Sequence, residues 1–165
     1  LDNYPGFTVG TWQMRPQSSG YVRIASNDPM ANASFNPRYL SDPLDSTILL
    51  SAMKAGRNLL KMEPLASLVE EEVLPGSQYE SDDDLMGFAR QYGATSFHLV
   101  GSCRMGRHSD GSNVVDPRLR VHGIQSLRVI DASVMPTIPS ANTAASTMMI
   151  GEKGADMIIE DARKY

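Results

Sequence analysis

The sequence predicts an α+β fold, a mostly antiparallel sheet with helices on one face. Three observations lead there. Two stretches near the N-terminus and a short run at 127–130 are rich in β-branched, aromatic or aliphatic residues, two helical patterns with cap residues occupy the middle, and a long helical pattern runs to the C-terminus.

Residues 7–14 (FTVGTWQM) and 20–25 (GYVRIA) flank a loop with Pro16, Ser18 and Ser19, and read as the two strands of a hairpin. Residues 27–43 carry Pro29, Pro37 and Pro43 among Asn and Asp, which predicts an extended, turn-rich connection. A helix follows. Asp42 can cap it and Pro43 suits its first position, while Leu44, Ile48, Leu49, Ala52, Ala55, Leu59 and Leu60 fall on or near one face. Residues 63–79 are acidic and broken by Pro64, Pro75 and Gly76, so Glu70, Glu71 and Glu72 read as a solvated face. Ser81 with Asp84 three residues later opens a second helix, with acids in its first turn, Leu85, Phe88, Ala89 and Tyr92 as apolar positions, and Gly93 as its stop.

Beyond it, Asp110-Gly111 and Asp116-Pro117 mark turns, residues 127–130 (LRVI) read as a short buried strand, and residues 135–142 (MPTIPSAN) form a loop. The last helix starts among Ser140, Asn142 and Thr143, all good cap residues, and places Met149, Ile150, Ala155 and Ile158 at apolar positions. Its start is small and polar. A ligand could therefore approach the helix N-terminus, where free N–H groups favour negative charge, although small residues there would equally permit close packing.

The 165 residues, 41% hydrophobic, suffice for one core. Fifteen Lys and Arg against nineteen Asp and Glu give a net charge of −4 with no basic run, which argues against nucleic-acid binding. No stretch approaches the roughly 20 apolar residues of a membrane span, and residues 1–10 lack the charged and apolar regions of a signal peptide. The single cysteine, Cys103, requires no oxidising compartment, so the expected location is cytoplasmic. His98, Cys103, His108 and His122 match no zinc spacing, and no metal is expected.

The stretch 96–102 (SFHLVGS) concentrates the chemistry. His98 lies among Phe97, Leu99 and Val100, just ahead of a glycine-rich turn at 101–106. Histidine titrates near neutrality, so it is either a general base or a hydrogen-bonded core residue.

Three blocks, FHLVGSCRMG, NVVDPRLRVHGIQSLRVIDASVMP and IPSANTAASTMMIGEKGADMI, resemble the C-terminal part of the glucose-methanol-choline (GMC) family of FAD-dependent oxidoreductases, in the family's order and spacing. RPQSSGYVRIAS and FNPRYLSDP upstream resemble the start of its substrate-binding region. The resemblance implies oxidation of an alcohol to a carbonyl. His98 matches the histidine that takes the hydroxyl proton while hydride passes to flavin N5. Asp131 and Ala132 match an element lying against FAD, and Thr143 and Ala144 match the helix start that approaches the flavin.

The chain departs from the family at Ala144, where relatives usually carry a second catalytic His or Asn. Three readings stay open: His98 works as the only titratable catalytic group, Asn142 reaches the site instead, or activity is lost. The dinucleotide fingerprint GxGxxG is absent, so residues 1–165 are expected to be a C-terminal substrate-binding and catalytic portion whose partner is an N-terminal FAD-binding region, onto which the last helix docks. Trp12, Phe97 and the methionines suggest an apolar or aromatic primary alcohol, with Phe97 touching substrate. A hydroxynitrile lyase-like activity and a non-catalytic binding domain are the alternatives.

Overall fold

The computed structural model describes residues 5–163. Among these residues the fold is α+β, with three α-helices and one antiparallel pair of strands, and it divides into two compact units, residues 5–20 with 37–94 and residues 21–36 with 95–163.

The first unit is built on two helices packed together, α1 (Pro43–Leu60) and α2 (Asp82–Tyr92). Each starts where the cap residues predict. The Leu44 N–H donates to the Asp42 side chain, and Ser81 and Asp84 form a complete capping box. Leu85, Met86 and Ala89 of α2 are buried, and Phe88 stacks between Tyr79 and Tyr92 at ring separations of 5.6 and 4.8 Å. On α1 the expected apolar face is narrower: Ile48, Leu49, Ala52 and Leu60 are half-buried, whereas Leu44, Ala55 and Leu59 are exposed. The fully buried residue of α1 is Asp45, only 2% exposed.

Asp45 is sealed by residues 13–18. Its carboxylate accepts from the Gln17 and Ser18 backbone N–H groups at 2.9 and 2.8 Å, from the Ser18 hydroxyl, and from Gln13 Nε2. Residues 7–14 do not form the expected strand. Val9 and Thr11 lie over α1 at Gly56 instead, so the β-rich composition marks an extended segment that covers a helix rather than one that pairs with a neighbour. Of the acidic run, Glu70 and Glu71 are exposed, whereas Glu72 is half-buried: its carboxylate accepts from Arg57 Nε and Nη2 while the same guanidinium holds the Gly76 and Tyr79 carbonyls.

In the second unit, β1 (Tyr21–Arg23) pairs antiparallel with β2 (Ser34–Asn36) in the register Tyr21↔Asn36, Val22↔Phe35, Arg23↔Ser34. The hairpin partner of residues 21–23 thus lies inside the stretch read as a connection. Residues 105–128 curl through isolated bridges Met105↔Val115, Val115↔Val121 and Arg120↔Arg128. The expected strand at 127–130 contributes only the last of these bridges, and Leu127 is exposed. The core is Val115, Leu119, Val134, Met135 and Ile150. Ile150 belongs to α3 (Ala144–Ala162), whose inward stripe continues through Gly154 and Met157, while Met149, Ala155 and Ile158 are exposed. Gly154 is needed there, because a methyl group at that position would stand 2.5 Å from Ile130 Cγ2.

The C-terminal end of α3 is tied by charge. Arg118 donates to Glu160, Asp161 and the Met157 carbonyl, and Arg128 donates to Asp161. Among the described residues no helix is long and apolar enough to cross a membrane.

Candidate active site

The second unit assembles the site from three segments. The glycine-rich turn that follows His98 starts at Gly101, whose φ of +86° lies in the left-handed region that glycine occupies without cost. From there the chain runs against residues 132–135: Cys103 N–H donates to the Ser133 carbonyl at 3.0 Å and Met105 N–H to the Val134 carbonyl at 2.9 Å. The third segment is the loop that leads into α3.

His98 meets that loop on both edges of its ring. Nε2 lies 3.2 Å from Asn142 Oδ1, and Nδ1 lies 3.1 Å from Thr143 Oγ1. Thr143 is buried, 9% exposed, whereas Asn142 is exposed and His98 half-buried. The Nδ1 edge thus faces buried Thr143, and the Nε2 edge faces the amide oxygen of exposed Asn142. Sequence separations of 44 and 45 residues are closed to hydrogen-bond distance here, so three of the residues singled out in the sequence form one cluster.

Thr143 is also the residue at the N-cap of α3, yet its side chain makes no capping bond. Ala144 and Ala145 at the helix start are exposed. The result is an α-helix of 19 residues whose first turn presents its N–H groups and dipole past two methyl side chains. Negative charge is favoured at such a helix start.

Phe97 precedes the histidine with φ +60°, a left-handed conformation that is strained for an aromatic residue, and its ring is 86% exposed. Asp131, in contrast, is occupied by its own chain: Oδ1 accepts from the Ser133 N–H at 2.7 Å and from its hydroxyl, which starts a short 3-10 turn at Ala132–Val134. Ala132 is half-buried and packs against the core. Trp12 belongs to the first unit, where its ring covers Gly10.

The remaining histidines do not join His98. His108 and His122 meet edge to face at 4.9 Å, and His122 Nε2 lies 3.0 Å from the Gly106 carbonyl. Among the described residues no group of three His, Cys, Asp or Glu side chains is arranged to hold a metal ion. Two features of the structure had no counterpart in the sequence reading, the Asp45 seal and the Thr143 contact with the ring; a buried acid in a helix's first turn looks in sequence like one placed for the dipole.

The GMC oxidoreductase family model matches residues 16–151. The chain is 38% identical over 154 residues to an alcohol dehydrogenase [acceptor] of Pseudomonas putida, covering 93% of this chain and 28% of that protein. It is 40% identical over 153 residues to the oxygen-dependent choline dehydrogenase of Escherichia coli O157:H7, covering 93% and 27%. Among solved structures, a formate oxidase superposes with a TM-score of 0.84 at 33% identity, over 92% of this chain and 26% of that one. A fungal aryl-alcohol oxidase superposes with a TM-score of 0.81 at 34% identity, over 91% and 25%. The chain thus spans about a quarter of the length of these relatives. With most of its residues matched in sequence and in fold, this chain belongs to the GMC oxidoreductase family.

Proposed function

We propose that this chain is the C-terminal substrate-binding and catalytic portion of an FAD-dependent enzyme that oxidises an alcohol to a carbonyl, with His98 as the base. The observation that carries the reading is the His98–Asn142–Thr143 cluster beside an uncapped helix start. The relatives' names support it, since they include an alcohol dehydrogenase, an aryl-alcohol oxidase and a formate oxidase studied for FAD modification. The α3 start suits a flavin, because free N–H groups beside Ala144 would stabilise negative charge there. Thr143 and Ala144, with Asp131 and Ala132, form this chain's side of the cofactor site. Bound FAD supplies the acceptor for the substrate's hydride, at N5. The rest of the enzyme, an N-terminal FAD-binding region, supplies the dinucleotide site.

The chain's own part is to hold the alcohol and move its proton. An alcohol is far too weak an acid to ionise at neutral pH, so a neutral imidazole at hydrogen-bond distance lowers the barrier by accepting the proton as the carbon–hydrogen bond breaks. Such general-base help is worth roughly 10²- to 10⁴-fold in rate. An alcohol would reach His98 at its Nε2 edge by taking the place of the Asn142 Oδ1 contact. Phe97 offers an exposed apolar face next to the base, which favours an apolar or aromatic primary alcohol. The location that goes with the unpaired Cys103 is cytoplasmic.

His98→Ala in the full-length, FAD-loaded enzyme tests the reading. Substrate-dependent flavin reduction should fall by at least about 100-fold while flavin absorbance is retained. An unchanged reduction rate would remove His98 as the base.

A further inference from the structure

We infer that Ser133 is a positioning residue that couples the cofactor-side carboxylate of Asp131 to the glycine-rich turn behind His98. The inference rests on the reading of His98 as the base and of Asp131 as part of the cofactor side, and adds what ties the two together. Three observations carry it. Ser133 spends both of its donors on one carboxylate oxygen: its N–H reaches Asp131 Oδ1 at 2.7 Å and its hydroxyl donates to the same atom. The carbonyl of the same residue accepts the Cys103 N–H at 3.0 Å. The next two residues hold the turn at further points, since Met105 N–H donates to the Val134 carbonyl at 2.9 Å and a methyl group at Gly101 would stand 3.5 Å from the Met135 carbonyl.

Residues 133–135 are therefore a seat for the turn at 101–106. The seat is fixed in the core at its far end, where Val134 and Met135 are buried. Its near end is fixed by Asp131, which is exposed. The backbone turns back between them, with Val134 N–H donating to the Asp131 carbonyl at 3.3 Å and Met135 N–H to the Ala132 carbonyl at 3.2 Å. Hydrogen bonds to a carboxylate are roughly twice as strong as neutral ones, so the Asp131–Ser133 link is the stiff one in this series. The Ser133 N–H and carbonyl are separated by only the two backbone rotations of one residue, and a shift of the carboxylate passes at close range to Cys103. From Cys103 the chain leads back to His98 through Gly101, whose φ is +86°. A cofactor that settles against Asp131 is felt at the base by this route.

The test uses the full-length holoenzyme. Ser133→Ala removes the hydroxyl and keeps the backbone bonds to Asp131 and Cys103. It should weaken FAD retention and slow flavin reduction at saturating alcohol, each by about 10-fold, the worth of one hydrogen bond to a charged group, with little change in the alcohol's apparent affinity. Ser133→Thr keeps the hydroxyl and should restore both. A Ser133→Ala enzyme that matches the wild type in either property overturns the inference, and so does a Ser133→Thr enzyme as impaired as Ser133→Ala. Hydrogen exchange on the wild-type enzyme needs no variant and decides the matter if Ser133→Ala fails to fold: removing FAD should speed amide exchange in residues 101–106 together with residues 131–135. Exchange at 131–135 that ignores FAD takes Asp131 off the cofactor side, and exchange that responds there but not at 101–106 overturns the coupling alone. His98→Ala separates the remaining level. If it leaves flavin reduction intact, the base reading itself falls; if it abolishes reduction while Ser133→Ala reduces flavin at the wild-type rate, only the role of Ser133 falls.

Discussion

The helix starts of the two units obey different rules. In the first unit α1 and α2 begin as isolated-helix physics prescribes: Asp42 caps Leu44, Ser81 and Asp84 close a reciprocal box, and the acid in the first turn of α1 is buried with donors on every side. In the second unit α3 has a good cap residue at the right place and does not use it as one. Where local propensity is followed, the chain is being held together. Where it is set aside, Thr143 has helical backbone angles, φ −77° and ψ −12°, and its hydroxyl stands beside His98.

Variants that break the first kind of start should cost stability. The largest effect is expected for Asp45→Asn, which puts an amide NH₂ against donors that now share one carboxylate, and should lower stability by roughly 3 kcal/mol in urea unfolding. Burial pushes the Asp45 carboxyl up, but the Ser18 hydroxyl, the Gln17 and Ser18 N–H groups and Gln13 together hold it below the usual carboxylate range. Its contribution is therefore fully present above the unfolded-state value near pH 4 and is lost as pH falls through the lower folded value. The part of acid destabilisation that Asp45 supplies should be missing from the Asp45→Asn protein, which a urea series taken between pH 5 and pH 2 would reveal.

Next comes Gly154→Ala. The gain in helix propensity is about 1 kcal/mol, but the added methyl meets Ile130 at a distance no real contact tolerates, so a net loss of roughly 1–2 kcal/mol is expected in the same assay. A neutral or stabilised Gly154→Ala protein would mean that α3 can shift away from Ile130 at little cost. Ser81→Ala, at an exposed cap, should cost about 1 kcal/mol and leave flavin reduction untouched.

What could be read from the sequence follows the range of the forces involved. Asp42-Pro43 and Ser81…Asp84 are local signals, and they placed two helix starts to the residue. Strand pairing is not local: residues 7–14 have strand composition but lie over Gly56, and Tyr21–Arg23 finds its partner in Ser34–Asn36, beyond a turn-rich stretch. His98 stood out because of its motif. That Asn142 and Thr143 would flank opposite edges of its ring depends on a loop closure of more than 40 residues, which no pattern in the sequence encodes. Asp45 was invisible for a related reason, since its donors come from a segment 27 to 32 residues away.

The charge cluster at the far end of α3 bears on the helix tip beside His98. Arg118 and Arg128 grip Asp161, and Ile130 seats against Gly154 midway, so the helix is pinned at two points along its length. From Ala144 to Ala162 it spans about 27 Å at 1.5 Å per residue. A rigid rod fixed at its tail and waist has little freedom to roll at its tip, and the tip is where Thr143 touches the imidazole. The 3.1 Å contact between Thr143 and His98 thus sits at the tip of a helix that arginine and glycine hold at tail and waist.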